Sequence, residues 1–320
     1  VTGVQTCALP ILALFLFMRK IDLEAIRKFD SLELLAHQVV EGFITGLHKS
    51  PFHGFSVEFS EHRLYNKGES TKHIDWKLFG RTEKLFVKRF EEETNLRCQL
   101  IIDRSSSMYY PEKQNTLSKI EYAVYLCASL IQLLKKQRDA FGITTFSDKI
   151  EAHTPAKSSV THQKILYKTL EELLTQKSEL KQSNIADTLH LIADQIPKRS
   201  MVIIFSDMME SSDTESIFEA LQHLKHNKHE ILLFHTYDID TEFNFNFENR
   251  PYTFIDKETN EQVKLNPTQL KSTYIEQSKR FLNEIKLKCG QYKIDFIQAD
   301  INENFEQLLQ AYLIKRSKMF

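Results

Sequence analysis

Strands alternating with helices from Arg97 onward predict an α/β fold, a mostly parallel sheet with helices on both faces. Two observations carry that prediction. The runs Cys98–Ile102, Ala140–Phe146, Met201–Phe205 and Ile231–Tyr237 are mostly apolar, as expected for strands covered on both faces. Between them lie stretches with a helical apolar period, the longest over 117–136. A third observation says where a ligand would sit. Two runs end in acidic residues, Asp103 and Asp207, and ligands of open α/β sheets bind beyond the carboxyl ends of the strands.

Residues 1–17 are expected to be a non-native or truncated apolar stub. Cys7 to Met18 is apolar but interrupted by Pro10, and shorter than the ~20 residues of a membrane helix. Arg19 and Lys20 follow the run, whereas a signal peptide carries its positive charge before it. The alternative is the remnant of a membrane span. Residues 18–96 form an N-terminal helix/β extension. A helix is expected over 31–47, with Asp30 and Glu33 as a capping box and Leu32, Leu35, Ala36, Val39 and Phe43 on one face. Phe55, Val57 and Phe59 alternate, predicting a strand over 54–60. A short apolar-aromatic segment follows at Ile74–Phe79, then a strand at Leu85–Phe90.

Residues 97–320 form the main α/β domain. Besides the four strands above, the periods predict helices over 162–177, 184–196, 214–226, 269–288 and 303–316, and a last strand at Lys293–Gln298. The stretch 241–266 breaks this rhythm. Its pieces Tyr252–Ile255 and Gln262–Leu265 flank Asp256–Glu261 and predict an inserted β-hairpin.

Composition excludes several functions. Forty-two basic against forty-three acidic residues leave no field for nucleic acid or a membrane surface. Eight glycines in 320 residues is about a third of the usual ~7 % share. Their spacing yields neither GxGxxG nor GxxxxGK[ST], so the chain has no ordinary dinucleotide or phosphate loop. Cys7, Cys98, Cys127 and Cys289 are isolated, as expected for buried thiols in a reducing cytosol. No later membrane span is apparent, and the expected localisation is cytoplasmic. His223, His226 and His229 resemble ligands, yet their spacing drifts around a helix and they sit in a Lys-rich stretch. A solvated helix end is expected there.

The chemistry concentrates in Asp103-Arg104-Ser105-Ser106-Ser107, one carboxylate and two hydroxyls on a tight loop after a strand. Such hard oxygen donors suit Mg²⁺ or Mn²⁺. Asp-x-Ser-x-Ser at a strand end resembles the metal-ion-dependent adhesion site of von Willebrand factor A domains. The order strand, DRSSS, helix, AFGITTF, IIFSD matches that Rossmann-like fold over about 97–238. The resemblance implies metal ligation by Asp103, Ser105, Ser107, Asp207 and a middle-loop hydroxyl. That position is Ser183, where relatives carry Thr; Thr188 falls deeper in its helix.

Upstream, His62-Arg63-x-Tyr65-x-x-Gly68, Lys72-x-Ile74-Asp75-Trp76 and Leu85-x-Val87-Lys88-x-Phe90-x-x-Glu93 resemble domain of unknown function 58. These are von Willebrand A-like bacterial proteins encoded beside MoxR-type AAA+ ATPases. Glu69-Ser70 and Lys72 depart from that family's usual acidic pair and Arg. The resemblance implies a non-catalytic, Mg²⁺-dependent protein-binding module. It would act with a MoxR-type AAA+ ATPase in assembling or remodelling a complex. A client carboxylate would complete the metal's coordination, and Arg63, Asp75 and Trp76 are candidate partner contacts. The alternatives are a metal-free interaction domain and a Mg²⁺-dependent phosphohydrolase with Asp103 as nucleophile. The latter lacks a general acid, because Ser105 stands at that position.

Overall fold

The computed structural model describes residues 31–48, 62–64, 76–88, 96–112, 116–175, 185–209, 214–257 and 260–317. The stub 1–17, the expected strand 54–60, Asp75 and Ser183 lie outside the described residues. The chain divides into two compact units. One holds the residues up to Glu41 together with Leu96–Phe320, and the other is Gly42–Asn95.

In the first helix, α1 (Leu32–His48), the Leu34 amide donates to Ser31 Oγ at 3.2 Å, while Asp30 of the expected capping box lies outside the described residues. Leu32, Leu35, Ala36, Val40 and Phe43 are its buried positions, so Val40 replaces the expected Val39. In the smaller unit, β1 (His62–Leu64) pairs antiparallel with β2 (Phe86–Lys88), which sets Arg63 opposite Val87. Trp76 opens the short helix α2 (Trp76–Thr82).

The larger unit is built on β3 (Arg97–Asp103), β4 (Ala140–Phe146), β5 (Ile150–His153), β6 (Met201–Ser206), β7 (Glu230–Tyr237) and β10 (Asp295–Asp300). The six strands lie in the order β10-β7-β6-β3-β4-β5, all parallel except β5, which runs antiparallel to β4. The sequence order reverses between β3 and β6, as in doubly wound folds. This is the mostly parallel sheet that the sequence predicts.

Alternation along the strands separates two cores. Ile101, Val202, Ile204, Ile231 and Leu233 pack into one cluster with Ile185, Leu189, Phe218, Leu221 and Ile285. These partners come from α5 (Ile185–Gln195), α6 (Thr214–His226) and α7 (Pro267–Gln291). The alternate residues Leu100, Ile102, Ile203, Phe205, Leu232 and Phe234 are equally buried. Phe205 and Phe234 stack there with ring centroids 5.1 Å apart. The nearly all-buried α3 (Lys119–Lys136) packs with α4 (Val160–Thr175). The chain closes with α8 (Glu306–Ser317).

Local chemistry moved some boundaries. Helix α3 starts at 119 because Ser118 makes a capping box: the Glu121 amide donates to Ser118 Oγ and the Ser118 amide to Glu121 Oε2. Strand β10 starts two residues later than expected. Lys293 is left-handed at φ 56° and the Ile294 amide still bonds Cys289 O, closing α7. The four-residue β5 was not expected, since its mixed polarity suits a sheet edge. The hairpin is present as β8 (Tyr252–Ile255) against β9 (Gln262–Leu265). Cys98, Cys127 and Cys289 are buried free thiols.

Candidate metal centre

Asp103 is the last residue of β3, and Asp207 follows the last residue of β6. The neighbouring parallel strands therefore deliver both carboxylates to the topological switch point. The loop folds back on Asp103, whose Oδ1 accepts from the Ser105 amide at 2.8 Å. Its Oδ2 accepts from Ser206 Oγ at 2.6 Å, and that hydroxyl in turn accepts from the Met208 amide. Met208 is held left-handed at φ 54°, a costly state for a residue with a side chain. Ser105 Oγ and Ser107 Oγ lie 3.0 Å apart. Asp207 Oδ1 accepts from the Met209 amide at 3.1 Å.

Sequence reasoning missed a cation in this cluster. Lys119, at the first turn of α3, is fully buried. Its Nζ donates to Asp207 Oδ2 at 2.7 Å and to Glu242 Oε1 at 2.6 Å. Glu242 Oε2 accepts from the Asp238 amide at 2.7 Å. Glu242 lies on the single π-helical turn Ile239–Phe243 that follows β7.

Electrostatics divide the acids. Burial pushes Asp103 up to about 7, and the neighbouring charge of Asp207 adds to it. Burial opposes ionisation of Asp207 too, but the Lys119 ammonium outweighs it and holds that carboxyl below its ordinary value. Glu242 is raised by burial and by Asp207, against the pull of Lys119. Lys119 itself stays protonated, because the two carboxylates overcome its burial. Burial drives His235 down to about 4, so it is neutral here. Its Nδ1 has no hydrogen-bond partner among the described residues, and its side chain helps line a small cavity with Asp207, Glu242 and Ser278.

These residues have the chemistry that a hard divalent cation needs. When all are ionised, Asp103, Asp207 and Glu242 outnumber the single Lys119 ammonium, which pairs with Asp207 and Glu242. Two hydroxyls about 3 Å apart match adjacent corners of an octahedron of 2.0–2.1 Å Mg²⁺–oxygen bonds. Among the described residues no group of three or more His, Cys, Asp or Glu side chains could hold a metal ion, so serine hydroxyls would be indispensable. The structure brings Asp103, Ser105, Ser107 and Asp207 together. Arg63 and Trp76 fall in the other unit, and Thr188 is buried within α5.

The histidine expectation needs correction. His229 is fully buried, with Nδ1 accepting from the Ser200 amide at 3.2 Å. His223 is half-buried and faces His190. The tertiary fold, bringing α5 and the turn before β6 alongside, overrides the local Lys-rich sequence.

The α/β domain is a doubly wound sheet with a hydroxyl-and-carboxylate loop at its switch point. The family model "Protein of unknown function DUF58" matches residues 61–281, and the chain belongs to that family. Uncharacterized proteins of Mycobacterium bovis and Mycobacterium tuberculosis are 23 % identical over 179 residues. The match covers 56 % of this chain and 56 % of theirs, so the chain spans about half the length of the curated relatives it matches. Among solved structures, BatB from Bacteroides thetaiotaomicron is similar at 14 % identity and TM-score 0.42, over 70 % of this chain and 98 % of that one. An aerotolerance-related membrane protein from Bacteroides fragilis is similar at 14 % and 0.44, over 70 % and 99 %. A von Willebrand factor type A protein from Catenulispora acidiphila gives 12 % and 0.34, over 45 % and 34 %. Among the described residues, no helix is long and apolar enough to cross a membrane.

Proposed function

We propose that this protein is a non-catalytic protein-interaction module whose Asp103, Ser105, Ser107, Asp207 and Ser183 hold Mg²⁺ or Mn²⁺. The bound ion would supply a Lewis-acidic anchor for a partner's carboxylate. The observation that carries this reading is the oxygen-donor cluster at the sheet's switch point. Around it, the chain's own groups prepare the site: Ser206 and the Ser105 amide orient Asp103, while Lys119 fixes Asp207. The family resemblance points to a MoxR-type AAA+ ATPase as the partner, with client remodelling as the shared task and the cytoplasm as its place. Arg63, Asp75 and Trp76 are the candidate contacts for that ATPase.

Asp103 is an unfavourable nucleophile. It is fully buried and both its oxygens already accept hydrogen bonds. A metal-free interaction domain is the second reading, and one observation favours it: Lys119 already provides a cation at Asp207. The two separate in a pull-down of the MoxR-type ATPase by the full chain. Capture that requires Mg²⁺, fails in EDTA and fails for Asp207→Ala supports the metal-dependent reading. Capture indifferent to both supports the metal-free one.

A further inference from the structure

A second, chemically different site lies on the helical layer formed by α5 and α6. His190 of α5 and His223 of α6 turn their Nδ1 atoms toward each other at 3.1 Å, with ring centroids 5.3 Å apart and planes inclined by 38°. Asp194 sits one helical turn after His190, and its Oδ1 is 3.4 Å from His223 Nε2. A carboxylate near that nitrogen favours the proton on Nε2 and the lone pair on Nδ1; without an ion His190 Nδ1–H donates to it, and a bound cation would displace that proton to His190 Nε2. The carboxylate–imidazole arrangement is the one that metal-bound histidines use to fix tautomer and ring orientation. The His223 side chain is 30 % exposed, so solvent reaches the pair.

We propose that His190 and His223 chelate a borderline divalent transition cation of the zinc class, with Asp194 positioning His223 and water filling the other places. Two nitrogens each 2.0–2.1 Å from one ion stand roughly 2.8–3.4 Å apart, from right-angled to tetrahedral geometry. The observed separation falls inside that range. Imidazole nitrogens select Zn²⁺, Cu²⁺ or Ni²⁺ over Mg²⁺, so this site is independent of the oxygen cluster at Asp103. A bound ion would pin α5 to α6. The pair is invisible in sequence because its members lie on separate helices, while the neighbouring His226 and His229 suggest a different grouping.

The test is calorimetric titration of ZnCl₂ into untagged full-length chain, followed by electron paramagnetic resonance with Cu²⁺. One equivalent of Zn²⁺ should bind. Affinity should fall at least about tenfold in His190→Gln and in His223→Gln, about 10–100-fold in Asp194→Asn, and not at all in Asp103→Ala. Cu²⁺ hyperfine structure should show two nitrogens in the wild type and one in either histidine variant. Absence of Zn²⁺ binding, or wild-type affinity retained in either histidine variant, overturns the proposal.

Discussion

Lys119 is the residue on which the candidate centre balances. Removing one partner of a buried ion pair leaves an uncompensated charge, which costs about 3–5 kcal/mol. Lys119→Met should therefore lower unfolding free energy by that amount in a urea titration, because Asp207 and Glu242 both lose their cation. Adding Glu242→Gln should recover part of the loss; equal instability of single and double variants would show that Glu242 does not share the ammonium. Asp103 and Asp207 were legible in the sequence because each ends an apolar run, where strand geometry fixes its position. Lys119 was not, since a lysine in a helix's first turn reads as a solvated end. Glu242 lies in the stretch that broke the strand–helix rhythm, so no period could place it.

At the scale of elements, two features set local stability. The reciprocal bonds of Ser118 and Glu121 cap α3, the helix that carries Lys119. Ser118→Ala should cost about 1 kcal/mol, read as a lower denaturation midpoint with unchanged m-value. Within β4, Gly142 lies where a Cβ would press on the Thr154 carbonyl and stand 2.7 Å from Gln99 Oε1. Gln99 Nε2 also donates to Thr144 Oγ1 and Thr154 O, so it has little freedom to withdraw. Gly142→Ala should destabilise by about 1–3 kcal/mol, against the small gain that such a change brings in an open strand. The scarce glycines thus include one kept for close approach at the sheet's antiparallel edge. Long periodic elements such as α3 and β6 were readable because burial repeats their pattern. The short edge β5 and the ends of β10 and α7 were not, since single turns and caps decide them.

Across the larger unit, the two ends of the sheet carry different titratable groups. The carboxyl end gathers Asp103, Asp207, Asp238 and Asp300, all buried. At the other end, Arg316 of α8 donates from Nε and Nη2 to Asp139 at 2.9 and 3.0 Å, and His229 accepts from Ser200. Burial lowers the pKa of His229 below its ordinary 6.5, and its Nε2 has no hydrogen-bond partner among the described residues. Its folded state therefore binds fewer protons than the unfolded chain as pH falls below about 6.5. Its contribution is complete above that pH and is lost on acidification. The stability gap between wild type and His229→Gln should shrink by up to about 1.4 kcal/mol from pH 7.5 to 5.5. Parallel profiles would place the acid sensitivity elsewhere. The glycine-poor composition makes sense at this scale, since the switch point is furnished with side-chain oxygens instead of a phosphate-cradling backbone. Titrating MgCl₂ and MnCl₂ into the full chain tests the central claim most directly. One equivalent should bind the wild type and His190→Gln, and none should bind Asp103→Ala. Absence of heat from either ion with the wild type, or equal binding by Asp103→Ala, would contradict it.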